Sequence, residues 1–181
     1  MKKLFFGAIA LFTIAGAVAQ DNVIKANPLA LLGGTDLIAY ERKISDHSSV
    51  LLGAGYGSFK FGGAEYTSSG VEGQYRYYFG ESLKGWYAGG QVAYTSGKIK
   101  LGADQFFGSP DSTSGDVKFG AFGVGAKGGY QWIFGSGFVI DLNLGAAYTK
   151  FDFKGSSDSE VSTLKGSGIL PTFGFGLGYN F

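Results

Sequence analysis

The sequence predicts an all-β protein: an eight-stranded antiparallel transmembrane up-and-down β-barrel that follows a cleaved signal peptide. Three observations predict this fold class. Large and small side chains alternate over long stretches, glycine and aromatic residues are abundant, and the N-terminus has the pattern of an export signal. The chain of 181 residues contains 33 Gly, and 17% of its residues are aromatic. Glycine at this density weakens helices but suits the small inward positions of a narrow barrel.

The alternation is strictest at the C-terminus, in residues 172–181. Every odd position there is large and apolar or aromatic, and every even position is small or polar. A period of two places all the bulk on one face of a β-strand. We expect the bulky face to meet lipid and the glycine face to line the barrel. The alternative is a soluble, lipocalin-like cup with the aromatic face inside, but its water-facing strands would be unusually rich in glycine.

The N-terminal segment, 1–19, has the pattern of a secretory signal peptide. Two lysines precede an uncharged apolar run, which ends in Ala-Val-Ala. This order predicts cleavage between Ala19 and Gln20. An uncleaved membrane anchor is the alternative, but the run is short for a spanning helix. Residues 20–181 are then expected to form one outer-membrane barrel domain, with no second domain after it.

Charge and cysteine content exclude several classes of protein. Loss of the two N-terminal lysines with the signal peptide changes the formal net charge from +1 to −1, so nothing favours nucleic-acid binding. The absence of Cys excludes a disulfide framework and a thiolate metal site. After the signal peptide, no apolar run approaches the ~20 residues of a spanning helix. A chain that crosses a membrane must therefore do so with strands.

Four alternating stretches come first, and turn residues separate them. They run over 23–32, 36–44, 49–61 and 66–79. The first is the least regular, because Pro28 lies within it and Pro favours an edge strand or a bulge. A tight turn at 33–35 precedes the second, and 45–48 is a polar turn. The fourth alternates most clearly, with Glu72 and Arg76 on the face opposite its apolar residues.

Four longer stretches follow. They run over 86–101, 117–134, 138–153 and 163–181. The fifth strand sets Trp86 and Tyr94 against Gln91, and the sixth alternates Gly with aromatic and aliphatic residues. A Gly-Ser-Gly hairpin turn at 135–137 leads into the seventh, where Phe, Ile and Leu oppose Asp141. The eighth is the C-terminal pattern described above.

The connections alternate in length. Short turns follow the even-numbered strands, near residues 46, 81 and 136. Longer polar loops follow later odd-numbered strands, at 62–65, 102–116 and 155–162, whereas the turn at 33–35 is an exception. Short periplasmic turns and long extracellular loops are typical of outer-membrane barrels. The even strand number then places both ends of the domain in the periplasm.

Aromatic side chains cluster at the strand ends near the short turns. Amphipathic rings favour the level of the lipid headgroups, so this clustering predicts a periplasmic girdle. Its expected members are Tyr77, Tyr78, Phe79, Trp86, Tyr87, Trp132, Phe134, Phe138, Tyr179 and Phe181.

Two segments and the export signal are shared with a known group of proteins. The segment E-G-Q-Y-R-Y-Y-F at 72–79 ends in a short turn, and the chain ends in Tyr-Asn-Phe. With these features, residues 20–181 resemble the small OmpA/OmpX-type outer-membrane barrels of Gram-negative bacteria. The segment 27–42 is similar to the first hairpin of uncharacterised barrels of this type.

The resemblance implies a place in the cell envelope, surrounded by outer-membrane lipid. It also implies that periplasmic chaperones and the barrel-assembly machinery are partners during biogenesis. By the same resemblance, the outward row of the last strand carries the assembly signal, through Phe175, Leu177, Tyr179 and Phe181.

Polar side chains on the predicted inward face would share the lumen of the barrel. They are Lys25, Glu41, Glu72, Gln74, Arg76, Gln91, Lys127, Gln131, Asp141 and Asn143, with Asn27 near them. Acids and bases are equal in number, and the interior of an eight-stranded barrel is just filled by side chains. Buried charges must pair, so we expect an ionic plug. The alternative is a narrow path for ions or small solutes, although Leu51, Ile133 and Val139 also point inward and favour the plug.

No arrangement of residues predicts catalysis, a cofactor or a metal site. Gly123-x-Gly125-x-x-Gly128 matches a dinucleotide motif, but it lies inside a predicted strand instead of between a strand and a helix. A lipid A deacylase would need a His–Ser pair near the outer rim. The only His, His47, lies in a turn predicted to face the periplasm. The Asp residues of loop 102–116 have no spacing that demands Ca²⁺.

The sequence therefore predicts a monomeric integral outer-membrane barrel with a structural or surface-interaction role. Binding residues concentrate in loops, so an unknown extracellular ligand would meet loops 62–65, 102–116 and 155–162. The rival functions are a narrow, porin-like pore and a lipid-modifying enzyme.

Overall fold

The computed structural model describes residues 21–32, 35–61, 64–101, 116–155 and 163–181. They form one antiparallel sheet that closes into a barrel, in which each strand pairs with its neighbours in chain order. The strands are β1 (Asn22–Ala26), β2 (Ile38–Ser45), β3 (Ser48–Phe61), β4 (Ala64–Tyr78), β5 (Gly85–Leu101), β6 (Asp116–Ile133), β7 (Phe138–Gly155) and β8 (Thr163–Asn180). The predicted eight-stranded up-and-down order is confirmed.

Several predictions concern residues outside these ranges. The signal peptide 1–19, its cleavage between Ala19 and Gln20, and most of loops 102–116 and 155–162 lie outside the described residues. In the part of the chain that the structure describes, no helix is long and apolar enough to span a membrane.

The first predicted strand, 23–32, is wrong in its second half. β1 is only five residues long, and a 3₁₀ turn spans Pro28–Leu32. Because Pro28 has no N–H to offer a neighbouring strand, the ladder stops before it. The side-chain oxygen of Asn27 instead accepts a hydrogen bond from the Leu29 N–H (3.1 Å) and bends the chain.

The connection from β1 to β2 folds into the barrel. Thr35 Oγ1 donates to Glu72 Oε2 (2.9 Å), and Asn27 Nδ2 donates to Asp36 Oδ1 (3.1 Å). Gly53 on β3 leaves the room for this: a Cβ there would lie 3.1 Å from that of Asp36. The first hairpin therefore contributes two strands to the barrel wall, and its connection contributes side chains to the barrel interior.

The barrel wall is uneven in height, because β1 and β2 are short. β8 has 18 residues but pairs with β1 at only four positions. Pro171 lies in the part of β8 beyond this pairing. Asn180 donates its N–H to Gly137 on the β7 side, and alternate residues donate to the same side. By this alternation the Pro171 nitrogen faces the edge away from β7, where a missing donor removes no β7–β8 bond.

Short turns at 46–47, 79–84 and 134–137 join the even-numbered strands to the next ones at one end of the barrel, as predicted. We call this the short-turn end and the opposite one the long-loop end. The predicted loop 62–65 at the long-loop end is wrong in its bounds, because β3 extends to Phe61 and β4 already begins at Ala64. Leu83 has a φ of 69°, a conformation that a non-glycine residue adopts rarely. Its side chain is buried in the barrel end against Val23 and Val139. These contacts close the short-turn end with an apolar floor.

The outer face carries the bulky rows of the alternating pattern. Leu52, Leu144 and Phe173 are each more than 60% exposed on it. The alternative of a lipocalin-like cup, in which the aromatic face lies inside, therefore does not describe these rows. Glycine and polar side chains face the lumen instead.

The prediction of the aromatic girdle is wrong for two of its members. Tyr78 and Tyr87 are fully buried inside the barrel, with ring centroids 5.2 Å apart. The period of two explains this, because Tyr78 shares a face with Arg76 and Tyr87 shares one with Gln91. Clustering at strand ends did not distinguish the two faces.

A second row of exposed aromatic residues lies further along the strands. It consists of Tyr56, Tyr94, Phe122 and Tyr148. From Phe138 to Tyr148, β7 advances about 33 Å along the strand, or about 25 Å in height for a tilt of about 40°. The two aromatic rows therefore bound an apolar belt of the height expected for a barrel in lipid.

Beyond the second aromatic row, the two faces exchange their character. Outward positions become charged or polar, and the inward face carries aromatic rings. Tyr66 lies 4.9 Å from Phe59 and 5.4 Å from Phe119 between ring centroids. Phe119 also approaches Phe153 at 6.3 Å. The long-loop end thus has the faces of a water-soluble barrel, with rings inside and charges outside.

Candidate functional site

A cluster of four charged side chains spans the lumen above the apolar floor. Lys25 Nζ lies 2.6 Å from both Glu41 Oε2 and Asp141 Oδ2, and it donates to Gln131 Oε1 at 2.8 Å. Arg76 Nη1 lies 2.7 Å from Asp141 Oδ2 and 3.2 Å from Glu41 Oε2. Two cations and two carboxylates therefore meet in a neutral group, which we call the ionic plug.

Hydroxyl groups satisfy the remaining carboxylate oxygens of the plug. Tyr78 and Ser49 donate to Glu41 Oε1 at 2.7 and 2.5 Å, and Tyr87 donates to Asp141 Oδ1 at 2.8 Å. Every oxygen of both carboxylates thus accepts at least one hydrogen bond. Buried charges are tolerated on this condition, so a charged cluster inside the barrel is consistent with a stable fold.

The glycine face of β8 makes room for the plug. A Cβ at Gly176 would lie 3.3 Å from Lys25 Cδ, and one at Gly178 would lie 2.8 Å from Lys25 Cγ. The strands β1 to β7 therefore supply the side chains of this layer, and β8 supplies the space. This is why the C-terminal strand alternates large residues with glycine.

A second ion pair lies on the long-loop side of the plug. Lys127 Nζ is 2.8 Å from Glu72 Oε1, and Gln74 Nε2 donates to the same oxygen. Thr35, from the connection between β1 and β2, donates a hydrogen bond to the other carboxylate oxygen, Glu72 Oε2. Arg76 Nε donates to Gln74 Oε1 (2.8 Å), so one chain of hydrogen bonds links both ion pairs.

A cavity of about 450 Å³ lies next to this second pair. Its polar lining comprises Asn27, Thr35, Asp36, Glu72, Gln91, Thr95, Lys127, Thr149 and Thr172. Apolar residues of the connection and of β8, such as Leu29 and Leu170, line the rest. The cavity is a candidate ligand site, because it offers both charge signs and hydroxyl groups at an apolar wall.

Most predicted lumen residues lie in these two groups, but two do not. Gln91 donates to Thr172 Oγ1 (3.1 Å) at the cavity wall. Asn143 is close to Gly174, where a Cβ would overlap its amide, and its Oδ1 has no hydrogen-bond partner among the described residues. Both side chains face inward without touching the plug.

The sequence analysis missed four members of the network. Ser49, Tyr78, Tyr87 and Thr35 all bond to its carboxylates. The alternating pattern already placed Tyr78 on the Arg76 face, and it could have placed Ser49 and Tyr87 in the same way. No local signal identified Thr35, because its position depends on how the whole β1–β2 connection folds.

The C-terminal row lies where the alternation predicts. Phe175, Leu177, Tyr179 and Phe181 share the outward face of the last strand, and Tyr179 is 54% exposed. The Phe181 N–H donates to the Asn22 carbonyl (2.8 Å), and the Asn22 N–H donates back to Phe181 (3.1 Å). These residues therefore close the seam between the first and last strands. Their proposed role as an assembly signal stays a prediction.

The remaining motifs take up structural positions. The ring of His47 approaches the Gly80 carbonyl through Nδ1 (2.5 Å) in the short turn. Gly123, Gly125 and Gly128 lie within β6. Among the residues that the structure describes, no group of three His, Cys, Asp or Glu side chains is placed to hold a metal ion.

Comparison with known proteins gives one match. The sequence model of a family described as protein of unknown function, DUF3575, matches residues 4–167. No curated protein and no solved structure matches the chain.

Proposed function

The chain belongs to the DUF3575 family of unknown function, and from its geometry we propose that it is an integral outer-membrane barrel with a closed lumen. Its role is structural or consists of surface interaction at the long-loop end. The ionic plug is the observation that carries this proposal.

The outer surface supports placement in a membrane. Two rows of exposed aromatic side chains bound a belt of exposed Leu, Val and Ile residues. Soluble monomers rarely expose contiguous apolar patches larger than a few hundred Å², whereas a barrel in lipid requires such a belt. The short turns and long loops then orient the long-loop end toward the cell exterior.

The lumen favours a closed barrel over a pore. The plug side chains Arg76, Glu41 and Asp141 are at most 2% exposed, and the apolar floor seals the short-turn side. An ion would have to break paired, fully hydrogen-bonded charges in order to pass, at a cost of several kcal/mol. The cavity above the plug is therefore a dead end that suits binding better than conduction.

We expect no stepwise conductance when the purified protein is inserted into a planar lipid bilayer. The plug and the apolar floor leave no continuous path for water. Insertion is checked separately by the heat-dependent change in gel mobility that folded barrels show. Arg76→Met and Glu72→Gln variants are recorded in parallel.

Regular conductance steps of the wild type that change with either substitution would establish the pore instead. If the wild-type protein is shown to be inserted and gives no conductance steps, the result supports the closed barrel. A chain that never enters the bilayer contradicts the membrane location itself.

A further inference from the structure

Three lysines stand directly opposite one another on the outer face near the long-loop end. The strand register pairs Lys98 of β5 with Lys118 of β6, and it pairs Lys118 with Lys154 of β7. All three side chains are exposed. We call them the lysine row.

This arrangement is unfavourable for the protein alone. Side chains directly opposite in antiparallel strands lie about 4.5–5.5 Å apart at Cβ, and like charges there destabilise the sheet. In the described ranges, none of the three has a carboxylate oxygen within 4.0 Å. A row of three cations is easier to explain if an anion bridges them.

Three other lysines on the same outer face are arranged differently. Lys60 and Lys100 both stand opposite Glu65, and Lys165 stands opposite Asp152. The register thus gives each of these lysines an acidic neighbour. Lys150 of the same face has no acidic neighbour either, but it stands opposite Phe122 and Ser167. Among the described residues of this face, lysines therefore stand directly opposite one another only in the lysine row.

The lysine row lines a groove of about 750 Å³ on the outside of the barrel. At the membrane side the groove is bounded by Tyr94 and Phe122 of the second aromatic row. Each of these rings lies four residues, or about 13 Å along its strand, from a lysine of the row. Asp152 also lines the groove and is its one described acidic side chain.

We propose that this groove binds the phosphorylated headgroup of a lipid in the outer leaflet. The phosphate groups contact the lysine row, and the apolar part of the lipid continues past Tyr94 and Phe122 along the apolar belt. Charge complementarity selects the anion, and the aromatic edge selects a lipid over free phosphate. This inference rests on the proposed membrane location and names the lipid partner of that surface.

The test compares two triple variants in an uncharged maltoside detergent. Lys98→Gln, Lys118→Gln and Lys154→Gln remove the row, whereas Lys60→Gln, Lys100→Gln and Lys165→Gln remove the same charge elsewhere on the face. Binding of diphosphorylated lipid A is measured, with its dephosphorylated form and inorganic phosphate as further probes. A lysine near an anionic lipid surface contributes about fivefold in affinity.

We expect the row variant to bind diphosphorylated lipid A at least about tenfold more weakly than the wild type, and the control variant within about threefold. The dephosphorylated lipid and inorganic phosphate bind weakly to all three proteins. Equal losses in both variants would overturn the proposal in favour of diffuse charge attraction. Inorganic phosphate that binds as tightly as the lipid would also overturn it.

Folding and membrane insertion are measured separately on each variant, by gel mobility and by flotation with lipid vesicles. If the triple row variant does not fold, Lys118→Gln alone removes both like-charge contacts and is compared with Lys100→Gln. If the protein inserts into the membrane but does not bind diphosphorylated lipid A, this inference is refuted and the proposed function is not. A protein that does not insert refutes the proposed function.

Discussion

Replacing Arg76 with Met is expected to lower the free energy of unfolding of the barrel by about 3–5 kcal/mol. The substitution removes one cation from a neutral group of four and leaves Glu41 and Asp141 to share Lys25. The guanidinium also lies 4.3 Å from the ring centroid of Tyr87, and this cation–π contact is lost as well. Urea unfolding from lipid vesicles, followed by tryptophan fluorescence, gives the change.

Two further variants separate the buried charge from charge in general. Lys43→Met removes a partly exposed cation that lies 3.7 Å from Asp46 and 4.0 Å from Asp21, and it is expected to cost less than about 1 kcal/mol. Arg76→Met combined with Glu41→Gln restores the charge balance and should recover part of the loss. If Arg76→Met is no worse than Lys43→Met, the plug does not hold the barrel together.

Replacing Gly89 with Ala is expected to destabilise the barrel by about 1–3 kcal/mol. A Cβ at Gly89 would overlap the carbonyl oxygen of Tyr75 in the adjacent strand. Since the obstacle is backbone, the clash is relieved only if β4 and β5 move apart. The ladder that holds the ionic plug in register would then be disturbed.

The neighbouring glycine provides a matched control. A Cβ at Gly90 would meet the Gly125 carbonyl oxygen at 3.9 Å, an ordinary van der Waals distance. Gly90→Ala is therefore expected to be neutral or to stabilise by up to about 1 kcal/mol. The same urea experiment applies to both variants. Equal effects of the two substitutions would show that close approach of the neighbouring strand does not explain the glycine at position 89.

The period-two pattern was sufficient to predict the strands and most of their faces. The alternation at 172–181 predicted the outward row and the glycine face that receives Lys25. The same alternation in β2, β4 and β7 placed Glu41, Arg76 and Asp141 in the lumen. These features depend only on the order of residues along one strand.

Other features depend on contacts between distant parts of the chain. The position of Thr35 against Glu72 follows from the path of a connection in which Pro28 ends β1. The alignment of Lys98, Lys118 and Lys154 follows from the register of three strands, which local pattern alone does not specify. The girdle prediction is wrong for Tyr78 and Tyr87 because proximity to a turn does not determine which face of the strand a side chain occupies.

The barrel can be understood as layers along its axis. An apolar floor, an ionic plug and a second ion pair fill the lumen behind the apolar belt. At the long-loop end the interior is aromatic and the exterior is charged and polar. The exchange of polarity between the two faces occurs at the second aromatic row. This is the position expected for the boundary between hydrocarbon and the outer polar layer.

The central claim is that the exposed apolar rows contact lipid. The chain contains two tryptophans, Trp86 and Trp132, and both lie on the outer face near the short turns. Their fluorescence in vesicles of lipids brominated at defined depths tests the claim directly. We expect strong quenching, largest for bromine near the headgroup, because both residues belong to the proposed aromatic girdle. Unquenched fluorescence from a protein that stays in water without detergent would contradict it.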